Sequence, residues 1–532
     1  MTAMIVKHIK ISSAVGLVNS QSARERQRTN MCSFTFYIVT VVTLLLFALY
    51  KYLSRNNGYW SARGIPEPKS AMFLFGHAWD LFFVKKNMGT ITADYYRQNK
   101  NASMFGLYMG PTPVLIVKHP DLVKFVLHSG FSYFAQNFQL NKKTDPLLYY
   151  DPFFQADQMW KDSRGIFVSA FSAKKLKDRV SAIKDTCDQM LDYLKKTTGN
   201  GPYELEGKDF FSNYTGGVAA RAILGIDAHT FDGQVDRYSL RNMMDTILVP
   251  QSDKGFKHNL IFMFPFLAKI ISIAFVPMWI NRAYAKIVDE LRALREKEAT
   301  PRNDVLQHIS EYLKEKGMDK DELAAHSFSF FIEQYETSSL TMSFIMYFTA
   351  KYPEVQEKMR AEVDEIMRKY GTTSSYEAIN DMTYIEQVAL ECLRLYTPVG
   401  RLTRFCTKEV TLEGPDGLRC TLKPGDEVGI PVNDIHLDPE HWKSPEEFNP
   451  DRFSKENQKA RNKYVYLAFG EGPRLCPGAR MGLMQVKAGV AAILNNYSIE
   501  LSEKMKEPLE LDPRYFMTTI RGGYWIRLRP RT

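Results

Sequence analysis

The chain has 532 residues, of which 45% are hydrophobic and 13% aromatic, and this composition excludes a disordered protein. The net charge is +9 with both signs scattered, so nucleic-acid binding is not expected, because no basic helix or basic and aromatic cluster stands out. An ordinary solvated surface, or a basic face for an acidic protein or anionic lipid, fits this charge. The six widely spaced cysteines form no CxxC, which argues against a disulfide framework or a zinc site and favours a reducing compartment.

Residues 31–53 form the first predicted element, a membrane anchor. The first 20 of these residues carry no charge, and as a helix they would span about 30 Å, the thickness of a bilayer core. Lys51 follows, and no small-residue cleavage site comes soon after it, so we predict an uncleaved anchor and not a signal peptide. A buried soluble helix is the alternative.

Residues 1–30 allow more than one interpretation. Their basic residues are opposed by Glu25 alone, a composition that also resembles a mitochondrial transit peptide. If Met31 is the real start, all nearby charge follows the apolar helix, which places the bulk of the protein in the cytosol. We favour an anchor in the endoplasmic-reticulum membrane over a mitochondrial location, with residues 1–30 disordered or absent.

Residues 54–70 are predicted to form a hinge, because Pro66, Pro68 and a glycine make this segment stiff and non-helical. From residue 71 to 532 we find no linker-like run, single-charge block or clear internal repeat. The interpretation is therefore a single large domain over 71–532.

The large domain is predicted to be mainly α with a small β part. A strand at 110–117 precedes a helix at 119–127. From about 155 to 400 apolar residues recur at i, i+3 and i+4, as in amphipathic helices. The clearest examples span residues 180–194, 279–296 and 354–370. Around 401–436 short strands and turns take over, with Lys423-Pro-Gly-Asp426 as a hairpin signal.

Residues 260–278 form a second apolar run. Lys269 and two prolines argue against a helix that spans the membrane. Two interpretations remain, a buried core segment and a loop that dips into the bilayer surface near the entry of apolar substrates.

Residues 469–478, which read FGEGPRLCPG, carry the strongest chemical signal. Two glycines and a proline ahead of Cys476 describe a tight loop, with backbone N–H groups and a following helix N-terminus that would stabilise a thiolate. Gly478 would let the chain pass close to a flat cofactor, and Arg474 could pair with an anionic group. A phosphate loop is excluded, because Lys-Ser/Thr is lacking and the glycine spacing is wrong.

This loop resembles the haem-ligand loop of the cytochrome P450 family, F-x-x-G-x-R-x-C-x-G, at every fixed position, including Phe469. The resemblance extends from about residue 60 to the end and implies a cytochrome P450-like catalytic domain that binds haem b, with Cys476 as the axial iron ligand. Phrases such as Glu336-Thr-Ser-Ser339 look like microsomal detoxifying enzymes of insects.

Further motifs follow in the order that the family shows. Glu391-Cys-Leu-Arg394 matches E-x-x-R and Pro450-Asp-Arg-Phe453 matches P-x-R-F, which implies a buried network of Glu391, Arg394 and Arg452 that supports the ligand loop. Trp160-Lys-Asp-Ser-Arg164 matches W-x-x-x-R. The resemblance implies contacts from these and other residues to the haem propionates. The propionate candidates are Trp160, Arg164, Arg404 and Arg474, and Arg401 lies close to Arg404.

Residues 333–337 depart from the family pattern A-G-x-E/D-T. The acid and the threonine are kept as Glu336 and Thr337, which relatives use to relay protons to bound oxygen; a threonine that bonds back to its own helical turn is the alternative. Gln334 replaces the glycine that opens an oxygen pocket, and so adds bulk over the haem. Glu333 stands four residues before Thr337, where fatty-acid-hydroxylating relatives form an ester with a haem methyl, and a glutamate that faces solvent or pairs locally is the competing view.

The predicted activity is insertion of one oxygen atom of O2 into an apolar small molecule, which could be a xenobiotic, steroid, fatty acid or terpenoid. The expected partners are NADPH–cytochrome P450 reductase, docking near Arg461, Lys463 and Arg480, and with it cytochrome b5 and membrane lipid. Two other functions are considered, a peroxide-rearranging enzyme that needs no reductase and a haem-binding sensor without turnover.

Overall fold

The computed structural model describes residues 34–199, 201–232, 236–249, 257, 259–261, 272–319 and 322–531. The chain divides into two compact units, Met1–Gly58 and Tyr59–Thr532. In the first unit, helix α1 spans Phe34–Ser54 and is, by length and composition, apolar enough to cross a membrane, with a mean hydropathy of 1.9. This helix covers the described part of the predicted anchor.

Polar side chains within α1 bond to the helix itself. The hydroxyls of Thr40 and Thr43 donate to the carbonyls of Phe36 and Val39, each at 2.8 Å. A hydroxyl satisfied in this way can be placed in hydrocarbon at little cost, because its hydrogen-bonding capacity is already used.

The second unit is mostly helical, as predicted. Its helices agree with the amphipathic segments of the sequence to within a few residues. They are α2 (Trp79–Phe82), α3 (Ala93–Gln98), α4 (Pro120–Lys124), α5 (Asp157–Ala170), α6 (Ala173–Asp178), α7 (Val180–Thr198), α8 (Gly207–Ala219), α9 (Leu240–Leu248), α10 (Met278–Arg295), α11 (Val305–Lys316), α12 (Glu322–Lys351), α13 (Pro353–Tyr370), α14 (Tyr376–Asp381), α15 (Thr383–Leu395), α16 (Val432–His436), α17 (Lys455–Ala460) and α18 (Ala479–Asn496).

Helix α12 runs through the middle of this unit. Its 30 residues are buried around most of the circumference, which explains why the segment is apolar on nearly all faces and not amphipathic. It packs against α8 on one side and against α18 on another. Because α18 begins directly after the cysteine loop, this packing brings the central helix close to Cys476.

Three small sheets complete the unit. The four-stranded sheet has the order β1-β2-β7-β4, in which β2 and β7 are parallel and the other pairs antiparallel. A three-stranded antiparallel sheet has the order β3-β9-β8, and β5 pairs with β6. The strands are β1 (Met104–Met109), β2 (Thr112–Val117), β3 (Tyr203–Glu206), β4 (Leu402–Phe405), β5 (Val410–Glu413), β6 (Arg419–Leu422), β7 (Glu427–Ile430), β8 (Tyr497–Leu501) and β9 (Trp525–Pro530).

The turn at Lys423–Asp426 forms but does not close a hairpin. The Asp426 N–H donates to the Lys423 carbonyl at 3.0 Å, and Gly425 has a φ of +94°. The two strands that flank this turn, β6 and β7, belong to different sheets, and the actual hairpin joins β5 to β6. The predicted hairpin was wrong because turn residues identify a change of direction and not the partner of the next strand.

The segment predicted as a hinge at 54–70 is divided between the two units. Residues from Tyr59 onward belong to the large unit, where the Trp60 side chain is fully buried. Its indole N–H donates to the Leu107 carbonyl at 3.0 Å, and its ring occupies the space that a side chain at Gly106 would need. The apolar run 260–278 lies largely outside the described residues, although Phe275 and Val276 are buried.

Candidate functional site

The loop that carries Cys476 is a tight turn joined to the start of α18. The Cys476 N–H donates to the Phe469 carbonyl at 2.8 Å, which closes the loop. The backbone N–H groups of Gly478 and Ala479 donate to the Cys476 sulfur, as the sequence predicted for a helix N-terminus at this place. Burial and the Glu333 carboxyl nevertheless raise the pKa of the Cys476 thiol to about 11. The Cys476 thiol would therefore lose its proton on binding a metal ion, whose positive charge stabilises the thiolate.

Gly472 fixes this loop against the segment that follows α4. It adopts a φ of +74°, and a Cβ at this position would lie 1.9 Å from the carbonyl oxygen of Leu127. Leu127 belongs to the π-helical turn Phe125–Ser129. No other amino acid fits here without moving one of the two backbones.

The predicted network of Glu391, Arg394 and Arg452 is present and buried. Arg394 donates to both carboxylate oxygens of Glu391, at 2.7 and 2.9 Å, and Arg452 lies 3.3 Å from the same carboxylate. Arg394 also donates to the His436 carbonyl at 2.8 Å. The side chains of Glu391 and Arg394 are fully inaccessible to solvent, so each charge depends on its partner.

His436 connects this network to the cysteine loop, and nothing in the sequence singled it out. Its Nδ1 lies 3.1 Å from the Arg394 carbonyl, and its Nε2 accepts from the Leu467 N–H at 2.8 Å. Burial lowers the pKa of His436 to about 3, so the ring stays neutral and can accept from Leu467. Leu467 stands two residues before Phe469, and His436 therefore links the buried ion pair to the start of the loop.

A largely apolar cavity of about 310 Å³ opens at the cysteine loop. Aromatic rings from several segments line it, and Phe167 stacks on Phe330 with a centroid distance of 3.8 Å. Gly478 also lines the cavity; a Cβ there would meet nothing closer than the Phe171 ring at 3.8 Å. Its φ is −89°, so neither packing nor backbone strain requires glycine, and the free space faces the cavity. The sequence-predicted residues that line the cavity are Trp160, Arg164, Glu333, Gln334, Thr337, Arg404, Phe469, Arg474, Cys476 and Gly478.

Arg164, Arg404 and Arg474 line the cavity without a carboxylate partner within 4 Å among the described residues. Burial lowers the pKa of Arg404 to about 10. Burial and repulsion from the other two guanidiniums lower the pKa of Arg474 to about 9. Three unneutralised cations around one apolar cavity are costly unless an anionic group enters. The residues therefore fit a flat apolar group that carries carboxylates, as haem does.

Arg401 and Arg404, which the sequence could not separate, differ in the structure. Arg401 donates to Glu427 at 2.6 Å and is neutralised by it. Arg404 bonds only to the carbonyl of Thr403, and no acceptor reaches its Nε within the described part of the chain. Arg404 is therefore the arginine of this pair that is available to a bound carboxylate.

Arg474 also organises the loop around the cavity. Its guanidinium donates to the backbone carbonyls of Ala135, Pro152 and Gln155 at 2.6 to 3.1 Å and lies 4.7 Å from the centre of the Trp160 ring. Carbonyls accept these bonds without neutralising the charge, so Arg474 can hold the loop and still attract an anion.

Thr337 and Glu336 are not brought together in the cavity. Thr337 lines the cavity, and its hydroxyl donates to the Glu333 carbonyl at 2.7 Å, which is the bond back to its own turn. Glu336 is buried away from the cavity and pairs with Lys208 at 2.9 Å. Consecutive residues of a helix point about 100° apart, which explains why Thr337 lines the cavity and Glu336 does not.

Glu333 lines the cavity, and its carboxyl is hydrogen-bonded to that of Asp151. Burial and the neighbouring carboxyl hold the pKa of Glu333 well above its usual range, and burial raises the pKa of Asp151 to about 6. Each of the two carboxyls therefore holds its proton more tightly than a solvated carboxyl does. Nothing in the sequence singled out Asp151, which lines the cavity together with Phe153 and Phe154.

Comparisons with known proteins match most of the chain to one family. The family description "Cytochrome P450" matches residues 66–527. Among curated relatives, Probable cytochrome P450 28d1 of Drosophila melanogaster is 29% identical over 91% of this chain and 97% of that protein. Cytochrome P450 6a8 of the same organism is 30% identical over 93% of this chain and 99% of that protein, and Cytochrome P450 6B2 of Helicoverpa armigera is 27% identical over the same shares.

Proposed function

The chain belongs to the cytochrome P450 family and is a haem monooxygenase, and from this premise we propose that it oxygenates an apolar small molecule with electrons from NADPH, delivered by a flavoprotein reductase. The observation that carries the proposal is a single cavity, which is lined by Cys476, by three arginines without a carboxylate partner and by aromatic rings. Haem held there through Cys476 would supply the oxygen-activating chemistry.

The chain's own residues would bind the substrate and exclude water. The rings of Phe153, Phe154, Phe275 and Phe516 line the cavity and offer little hydrogen bonding. Such a lining favours xenobiotics, steroids, fatty acids or terpenoids over polar metabolites. The Asp151–Glu333 pair is a polar exception, at which a hydroxyl or amine of a substrate could bond.

The proposed proton route uses both residues that the motif retained, Glu336 and Thr337, one after the other. Thr337 lines the cavity, where its hydroxyl would hold a water near the reacting oxygen. Glu336 and Lys208 form a buried pair on the adjoining face of α12, from which a proton would be supplied.

The reductase is proposed to dock at exposed basic residues near the cysteine loop. Lys463 and Arg480 are exposed, and Lys463 lies 3.3 Å from Glu471. Arg461 was expected in this group, but it is half-buried, stacks on Trp442 at 4.3 Å and bonds to the Arg452 carbonyl. The proposed surface therefore rests on Lys463 and Arg480, and cytochrome b5 would compete for it. With α1 as anchor, we place the enzyme in the endoplasmic-reticulum membrane with its catalytic unit in the cytosol.

The electron source is the first test. A ligand panel would be screened for spectral shifts of the haem, and binders incubated with NADPH and reductase under isotopically labelled O2. We expect substrate-dependent NADPH consumption and products that carry one labelled oxygen atom. Turnover with lipid hydroperoxides but not with NADPH would support a peroxide-rearranging enzyme instead, and absence of any turnover would support a haem-binding sensor.

We further propose that Glu333 forms an ester with a haem methyl group. Glu333 lines the cavity four residues before Thr337, and burial raises the pKa of its carboxyl. The ester would replace a methyl C–H bond by a C–O bond, with release of two protons and transfer of two electrons to oxygen that the enzyme activates with NADPH. Bonding of Glu333 to Asp151 alone is the competing arrangement.

Extraction of haem into acidic organic solvent tests the ester. After turnover with NADPH and reductase, we expect a fraction of the haem to stay with wild-type protein and all haem to leave the Glu333→Gln variant. Asp151→Asn is the matched control. It also removes a carboxyl from the cavity, but not the one that is proposed to form the ester. Full extraction from wild type after turnover would contradict the ester and leave the monooxygenase proposal unaffected.

A further inference from the structure

Gln334 and Gln485 form a buried polar connection between the central helix α12 and helix α18. The Gln334 Nε2 donates to the Gln485 Oε1 at 3.1 Å. The Gln485 Nε2 donates to the Ser338 hydroxyl at 2.5 Å and approaches the Gln334 carbonyl at 3.4 Å. Residues 334 and 338 are one helical turn apart, so both face the same point on α18.

The two glutamines differ in their access to the cavity. Gln334 is partly accessible and lines the cavity beside Glu333 and Thr337. Gln485 is fully buried and is not among the cavity-lining residues. The bond between them therefore directs the end of the Gln334 side chain out of the cavity and into the contact between the helices.

Removing the α12 partners of Gln485 would be costly, because the Gln485 amide would be left buried without hydrogen bonds. Both polar atoms of the Gln485 amide bond to α12, through Gln334 and Ser338. An amide buried at 0% exposure needs such partners, since water cannot replace them. If Gln485 is the partner that is removed, the Gln334 side chain loses its acceptor. It can then adopt rotamers that point into the cavity, because the cavity offers space there.

We propose that Gln485 is a positioning residue, which holds the Gln334 amide away from the cavity that Cys476 lines and so keeps space open for a diatomic ligand. The replacement of a small residue by Gln334 then does not block the oxygen face, because α18 carries its matching acceptor. This inference rests on the haem site proposed above but concerns Gln485, to which no motif assigns a role.

Flash photolysis of the CO complex tests the inference without measuring turnover. In Gln485→Leu the released Gln334 side chain would enter the cavity. We expect CO to rebind roughly tenfold more slowly, equivalent to about 1.4 kcal/mol in the barrier, with a shifted C–O stretching frequency. In the double variant Gln334→Ala/Gln485→Leu the obstructing amide is gone, and we expect rebinding to return to the wild-type rate.

Two further variants separate positioning from general damage. Gln485→Glu keeps an oxygen that can accept from Gln334 and should rebind CO like wild type. Gln485→Met, which keeps the side-chain length and removes both polar atoms, replaces the leucine variant if that protein does not take up haem. The inference is overturned if these apolar variants rebind CO at the wild-type rate, or if the double variant is as slow as the single one. Loss of the haem site itself would instead appear in wild-type protein, as absence of a CO complex with a thiolate spectrum.

Discussion

Replacing Cys476 by serine is expected to abolish the strongly red-shifted absorption of the reduced, CO-bound protein, and with it the monooxygenase activity. Among the described cysteines, Cys476 is the one that lines the cavity. A thiolate pushes electron density onto the iron and favours O–O cleavage, and a serine oxygen cannot replace this effect. The measurement is the absorption spectrum of the reduced, CO-bound protein minus that of the reduced protein without CO. We expect the red-shifted band to be lost completely.

Cys420→Ser is the matched control for this experiment. Cys420 is a free, buried cysteine in β6, away from the cavity lining. Because it has no contact with the site, its replacement should lower stability modestly and leave the position of the absorption band unchanged. A red-shifted band that persists in Cys476→Ser would mean that another residue binds the iron and would contradict the assignment.

Glu391→Gln is expected to lower the free energy of unfolding by about 3–5 kcal/mol, the usual cost of removing one partner from a buried ion pair. The charge of Arg394 would then be left without compensation, since Glu391 is the carboxylate that contacts it among the described residues. The same carboxylate accepts from the Asn449 N–H at 2.9 Å. We therefore expect loss of haem at lower denaturant concentration, followed by absorbance and circular dichroism.

Asp289→Asn provides a control with the same spacing along a helix. Asp289 pairs with Arg292 at 3.2 Å, three residues away, but 66% of its side chain is exposed. Solvent screens such a pair, so the loss should stay below about 1 kcal/mol. If Glu391→Gln were no more destabilising than Asp289→Asn, the buried network would not support the cysteine loop.

The sequence predicted the helices and the cysteine loop well, and the reasons differ. Amphipathic repeats locate helices such as Val180–Thr198, because burial of one face leaves a periodic pattern. The cysteine loop could be identified because its donors, glycines and ligand lie within ten consecutive residues. A short chain segment of this kind carries its geometry in its own sequence.

Contacts between distant segments could not be predicted in the same way. Glu333 bonds to Asp151, Glu336 to Lys208, and Gln334 to Gln485, each across more than 120 residues. A single sequence contains no signal for such pairs, because each partner is an ordinary polar residue until the helices pack. The environment of the cavity side of α12 therefore had to come from the structure, whereas the ligand loop did not.

Gly472 has a consequence for how this enzyme can change. The atoms that exclude a side chain at this position are those of the Leu127 main chain, at 1.9 Å from the Cβ that a substitution would introduce. Every amino acid at position 127 carries the same carbonyl, so no substitution there can make room. A library that seeks suppressors of Gly472→Ala would have to change the length of the segment that carries Leu127 or of the cysteine loop. Gly472 should therefore be kept in any engineering of the enzyme.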